Sequence, residues 1–282
     1  MKVWHGSTII REINGSKMEL DIRPSGPNKI DRTLALDGIR EPGSTKVFSK
    51  RLKQLKAQFD STIHVFDVGA NIGYFALLEA HILADQGRIY AIEAEPENAR
   101  RLQRNVELNS YSQIEVLPVA AGAEPSALEL SIRGASNIHR MTEILGDKDQ
   151  TRTIEVEVVA IDDLVAQRKI PEDELIVVRM DIEGYEAHAF RGMKKLLSSD
   201  RPVYIFVEVH SSCPHRDEVI DALEENGFSL EFGSSDKGEM ISSEYAYNAI
   251  REMADQNVHI FAGRLDSPCG SQEVMRTIYP TT

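Results

Sequence analysis

Between residues 63 and 210, short continuous apolar runs alternate with segments of helical periodicity. No other feature constrains the chain as much. IHVFDV (63–68), RIYAIE (88–93), IEVLPV (114–119), ELIVVRMDI (174–182) and PVYIFVEV (202–209) are apolar at consecutive positions. Strands covered on both faces read this way. Between them, residues 72–84 are apolar nearly all round, and Pro96 opens a helix that runs to about Asn109. A proline is well placed in a first helical turn, where its missing N–H costs nothing. Further helices are expected over 185–197 and 215–226. Such alternation predicts an α/β fold: a doubly wound, mostly parallel sheet with helices on both faces. ALELSI (127–132) and TIEVEVV (153–159) alternate apolar with polar, the pattern of half-exposed strands. FSLEF (228–232) and NVHIFAG (257–263) are expected to form an antiparallel edge hairpin across the mostly polar 233–256 insertion. One domain, 59–265, takes in all of this, and 266–282 is left as a tail.

The first 58 residues read differently. Residues 7–22 alternate loosely, as one or two short strands do. The stretch 24–44 carries three prolines and three glycines and is expected to be irregular. Ser44 is a fair N-cap for a helix over 45–58, whose Phe48, Leu52, Leu55 and Phe59 share one face. Residues 1–58 therefore read as an N-terminal extension or lid. Lys46, Lys50, Lys53, Arg51 and Lys56 make the helix basic, either as a solvated face or as a docking surface for an acidic acceptor. The chain as a whole carries 32 basic and 45 acidic residues, a net charge of −13. That field repels polyanions and excludes general nucleic-acid binding. No run approaches the length of a membrane span, and the N-terminus lacks the apolar region of a secretory signal. Cys213 and Cys269 make no disulfide framework, so a cytoplasmic protein is expected.

Doubly wound sheets bind ligands beyond the carboxyl ends of their strands, where strand order reverses. The first such end is Asp67-Val68-Gly69-Ala70-Asn71-Ile72-Gly73. Its glycines permit a sharp turn and close approach of a ligand, or simply tight packing of helix on strand. It is not the dinucleotide pattern, because the middle glycine is missing. Glu93 ends the second strand 20 residues after Gly73. At that offset an acid reaches ribose hydroxyls. The combination describes a nucleoside site without pyrophosphate, which suits S-adenosyl-L-methionine (SAM). Asp67, Gly69, Ala70, Asn71 and Gly73 would face its aminoacyl end, and Ala120 its adenine. A nicotinamide-dependent oxidoreductase is the alternative enzyme, and a SAM-binding module without turnover the non-catalytic one.

Several stretches resemble the FkbM family of SAM-dependent methyltransferases: FDVGANIGYF, IYAIEAEPENARRLQRNVELN, IDDL (161–164), VVRMDIEGYEAHAFRGM (177–193) and the lead-in IREPGSTKVF (39–48). They occur in order over about 39–210. The chain departs from the family in having Arg179 where a lysine is frequent and Ala94 where a proline is frequent. The resemblance implies methyl transfer to an oxygen of a small molecule, sugar, glycan or lipid. Asp181 and Glu183 would then lie over the cofactor's sulfonium, either to accept a hydroxyl proton, to orient the acceptor, or merely to cap the next helix. His210 ends the following strand with Glu208 and is a candidate base, its ordinary pKa being near neutrality. His210, Cys213 and His215 have no second cluster to complete a zinc site, so no metal is expected, and a divalent ion at the acidic 181–183 edge is left as an alternative. Tyr245 and Tyr247 either line a substrate entrance or pack.

Overall fold

The computed structural model describes residues 8–21, 29–132, 140–141, 152–235, 240–241 and 246–265. A hairpin of β1 (Thr8–Ile13) and β2 (Ser16–Asp21) opens the chain, followed by α1 (Lys29–Asp37) and α2 (Pro42–Gln58). Then come β3 (Ile63–Val68), α3 (Tyr74–Leu83), β4 (Gly87–Ile92), α4 (Pro96–Asn109) and β5 (Ile114–Leu117). A smaller sheet follows, from β6 (Ala120–Ala121), β7 (Ser126–Ile132), β8 (Arg140–Met141) and β9 (Arg152–Val159). The main sheet resumes through α5 (Ile161–Gln167), β10 (Leu175–Met180), α6 (Glu186–Arg191), α7 (Lys194–Ser198), β11 (Val203–Val209) and α8 (Arg216–Glu225). It closes with β12 (Ser229–Ser235), β13 (Met240–Ile241), α9 (Ala246–Glu252) and β14 (Val258–Arg264).

The strand order is β13-β12-β14-β11-β10-β3-β4-β5. Strands β5, β4, β3, β10 and β11 run parallel. The antiparallel pair expected at one end is present, with β14 lying between β11 and β12 and antiparallel to both. From β3 the chain winds outward through β4 and β5, then returns to β10 on the other flank. The reversal therefore lies between β3 and β10, whose ends are in register at Val68 and Met180. The alternating 127–132 and 153–159 segments pair with each other in the smaller sheet, outside the parallel core.

Apolar clusters cover both faces of the main sheet. Helix α2 belongs to one of them. Its Phe48 stacks on Phe206 at 5.1 Å and meets Phe75 edge-on at 5.8 Å, and Leu52 and Leu55 are fully buried. Three local expectations are corrected. Of the stretch 24–44, residues 24–28 lie outside the described residues, and the rest contains α1, with Gly38 and Pro42 following the helix instead of preventing it. Helix α2 starts at Pro42, and Ser44 spends its hydroxyl on His259 Nδ1 at 2.7 Å instead of capping. The 185–197 helix is broken into α6 and α7 at Gly192, where a Cβ would lie 1.9 Å from the Gly122 carbonyl oxygen. Two backbones meet there more closely than a continuous helix allows.

Candidate active site

The turn after β3 is built by backbone contact. Gly69 and Ala70 donate their N–H groups to the Ile92 carbonyl at the end of β4. Gly69 adopts φ +81°, and a Cβ there would lie 2.0 Å from the Asp181 carbonyl oxygen. The turn is thus pressed against the end of β10 with no room for a side chain. Gly73 has φ +96°, and its Cβ would strike Leu102 at 2.5 Å, so part of this glycine pattern serves helix packing. Asn71 also has positive φ, and its N–H donates to Glu93 Oε2 at 2.8 Å. The other Glu93 oxygen accepts from Glu95 N–H at 2.9 Å. Burial pushes this carboxyl up to about 7, the two N–H bonds pulling the other way. Glu93 is therefore the clasp between the glycine turn and the end of β4.

Beneath the turn lies a buried ionic web that the sequence reading did not name. Arg179, 2% exposed, sits under the Phe75 ring at 4.1 Å. Its Nη1 donates to Asp67 Oδ1 at 3.2 Å and to the Gly69 carbonyl at 3.3 Å, and its Nη2 to Asp181 Oδ2 at 3.0 Å. Arg40, from the segment between α1 and α2, donates to the same Asp181 oxygen at 3.1 Å and to Glu41 at 2.6 Å. Burial opposes charge on Asp181, yet Arg179 and Arg40 outweigh it and hold the carboxyl at about 2. For Asp67, burial wins and raises the pKa. Its Oδ2 is buried without a partner among the described residues.

Asp181, Glu183 and His210 are brought together, as expected from their strand ends. His210 Nε2 lies 3.8 Å from Asp181 Oδ1, 3.5 Å from Glu183 Oε2 and 3.6 Å from Glu208 Oε1. Its Nδ1 pairs with Glu186 Oε1 at 2.7 Å, and Glu186 is fully buried at the start of α6. Burial works against the imidazolium, but Glu186, Asp181 and Glu208 overcome it and lift His210 to about 10. Burial and the neighbouring Asp181 charge raise Glu208 to about 8. The near-neutral base expected at this strand end from the ordinary imidazole pKa is thus a proton holder at neutral pH in this geometry. Glu183 stands at φ +56°, a conformation rare for a side chain of its kind.

Ala120 is buried in an apolar cluster with Val156, Val158 and Tyr185, against which Ala94 and Ile182 pack. This wall joins the ends of β4 and β10 to the smaller sheet. Other expectations separate. Cys213 is buried and bonds the Pro214 carbonyl, while His215 is mostly exposed beside Glu218, so the 210–215 stretch does not converge on a zinc site. Tyr247 packs with its hydroxyl on the Phe228 carbonyl at 2.8 Å, and Tyr245 lies outside the described residues. The basic helix face is not one surface: Lys56 bonds the Ile82 carbonyl and Arg51 lies over Tyr204, leaving Lys46 and Lys53 exposed. Arg40 and Glu186 were missed. A charged residue inside a buried run, such as Arg179, was the available signal, because burying a guanidinium requires buried acids.

The crevice fits SAM on its own features. Asp67 keeps an oxygen without a partner among the described residues beneath the turn, and a carboxylate closes the second strand. The model of the methyltransferase FkbM domain matches residues 67–230, more than half of the 282-residue chain. Hexuronic acid methyltransferase AglP of Haloferax volcanii is 25% identical over 193 residues, covering 67% of this chain and 72% of that protein. Among solved structures, a SAM-dependent methyltransferase from Agrobacterium tumefaciens is 12% identical with a TM-score of 0.46, covering 94% of this chain and 72% of that one. Another, from Aquifex aeolicus, is 13% identical with a TM-score of 0.36, covering 80% and 99%. The family match runs from the glycine turn through the acidic exit of β10 and past His210, the same elements that meet at the sheet's reversal point. The chain belongs to the FkbM family of SAM-dependent methyltransferases, which sets aside the oxidoreductase alternative.

Proposed function

We propose that the protein methylates an oxygen of a sugar acceptor carrying a hexuronic acid. The observation that carries the acceptor site is the meeting of Asp181, Glu183 and His210 beside the Gly69 turn. The sugar class is suggested by the AglP relative, a hexuronic acid methyltransferase. Bound SAM supplies an electrophilic methyl group. The chain's own residues hold and align: Glu93 takes the ribose hydroxyls, Asp67, Gly69, Ala70, Asn71 and Gly73 line the aminoacyl end, and Ala120 backs the adenine. Methyl transfer is an in-line displacement, so alignment supplies most of what the protein contributes. Asp181, fixed by two arginines, and Glu183 orient the acceptor. Glu208 and His210 are both raised, to about 8 and about 10, so Glu208 can receive a hydroxyl proton where pH ionises it, beside a histidine that keeps its charge.

Residues 1–58 are proposed to act as an extension that delivers Arg40 to the site, 59–265 as the methyltransferase domain and 266–282 as a tail. No helix among the described residues is long and apolar enough to cross a membrane. With Cys213 free and buried, we place the enzyme in the cytoplasm. The test is to incubate the protein with labelled SAM and two sets of oligosaccharides, hexuronate-bearing and neutral, and to read products by mass spectrometry. Label on the hexuronate set is expected. Label confined to neutral sugars, or to non-sugar metabolites in a cell extract, refutes the acceptor class.

A further inference from the structure

We infer that Asp181, Glu183 and His210 form a binding site for one divalent cation at the acceptor edge. One oxygen of each carboxylate and His210 Nε2 all lie within 4.8 Å of one another. Bonds of about 2.1 Å in an octahedral shell put ligand atoms about 3 Å apart when adjacent and about 4.2 Å apart when opposite. The observed 3.5 and 3.8 Å fall between these values. They are too long for hydrogen bonds between a ring N–H and a carboxylate.

The histidine supplies an independent indication. It is 4% exposed, and its Nδ1 is committed to Glu186, which lies outside the cluster. That bond aims Nε2 at the carboxylates of Asp181, Glu183 and Glu208, 3.5 to 3.8 Å away, and a bound ion would take the place of the Nε2 proton. Metal-ligating histidines are oriented in this way, by a carboxylate on the other ring nitrogen. Asp181 is similarly sorted. Both arginines bind Oδ2, which leaves Oδ1 turned toward His210. Two carboxylates and one imidazole suit manganese or a similar hard-to-borderline ion. The sequence brings the three residues to neighbouring strand ends but shows no ligand spacing, since His210 lies 27 residues beyond Glu183 and joins it through the β10–β11 pairing. The inference rests on the methyltransferase reading for the ion's task, which is to hold two neighbouring oxygens of a sugar acceptor at the edge where methyl is delivered.

The experiment titrates Mn2+ into chelator-treated, full-length protein and follows free Mn2+ by electron paramagnetic resonance. One ion per chain is expected, with affinity about tenfold weaker or worse in Glu183→Gln and in His210→Gln, as loss of a ligand entails. Glu97→Gln, which removes an exposed acid on α4, should bind as wild type does. Nuclear magnetic resonance of the wild type needs no variant: substoichiometric Mn2+ should broaden the His210 ring signal ahead of the other histidines. Absence of stoichiometric binding, equal affinity in both ligand variants, or no selective broadening of His210 overturns the inference. Calorimetry with SAM on the same samples separates the two claims. SAM binding without Mn2+ binding removes the ion alone, and Mn2+ binding without SAM binding removes the methyltransferase reading alone.

Discussion

Glu93, the proposed ribose ligand, would tie cofactor binding to pH through a single carboxyl. Its folded value of about 7 exceeds the ordinary 4.5 because burial penalises the charge. Below 4.5 the group is protonated whether the chain is folded or not. Between 4.5 and about 7 only the folded chain keeps the proton, so stability falls as pH rises through this window. The slope from this residue is at most about 1.4 kcal/mol per pH unit. Glu93→Gln should flatten it, which urea unfolding at pH 5, 6 and 7 would measure. In the proposed site ribose hydroxyls donate to the ionised form, so SAM affinity should rise through pH 7 and level off above it. In Glu93→Gln that rise should vanish and affinity at pH 8 should drop by about 1–3 kcal/mol. A SAM affinity in the variant equal to wild type at every pH would take Glu93 out of the ribose site. Residues of this kind were legible because the strand end and the offset from Gly73 are local properties. The pairing of Arg179 with Asp67 was not, since the two lie 112 residues apart and only the β3–β10 pairing joins them.

At the scale of elements, the junction of β3 with β10 is the part least tolerant of change. Gly69→Ala meets two penalties, a side chain at φ +81° and a Cβ against the Asp181 carbonyl. The first alone costs about 1–2 kcal/mol. Gly227 has a similar φ of +71° but open space around it, so Gly227→Ala should pay only that. Denaturant unfolding should find Gly69→Ala several times more destabilising, with SAM binding lost. Equal losses in the two variants would mean that the close approach is unimportant. The strands of this junction were readable because they are apolar at consecutive positions. Helix α1 was not, because it spans only nine residues between stretches punctuated by proline and glycine. Helix α2 was readable from its apolar spacing, but not its depth. Phe48 lies between Phe75 and Phe206 in the main core. Phe48→Ala should therefore cost about 3–5 kcal/mol, the range for a buried ring. A much smaller loss in thermal or urea unfolding would make the first 58 residues a loosely attached lid.

For the whole molecule, the dominant quantity is the net charge of −13. Such a field repels an anionic acceptor before it reaches the crevice, and salt weakens the repulsion by shortening its range to about 10 Å at 0.1 M. The local cations do not reverse this. Arg40 is engaged with Asp181 and Glu41, and Arg179 is buried between Asp67 and Asp181. Encounter with a hexuronate acceptor should therefore speed up as ionic strength rises, while a neutral sugar of the same size should be indifferent. The measurement is kcat/KM for both acceptors between about 0.05 and 0.5 M potassium chloride, below the salt range where screening is complete. A rise for the hexuronate alone fits a repelled, charged acceptor whose recognition is short-ranged. A fall would mean that an attractive patch outweighs the global field at the crevice mouth, with Lys46 and Lys53 on the outer face of α2 the first residues to replace.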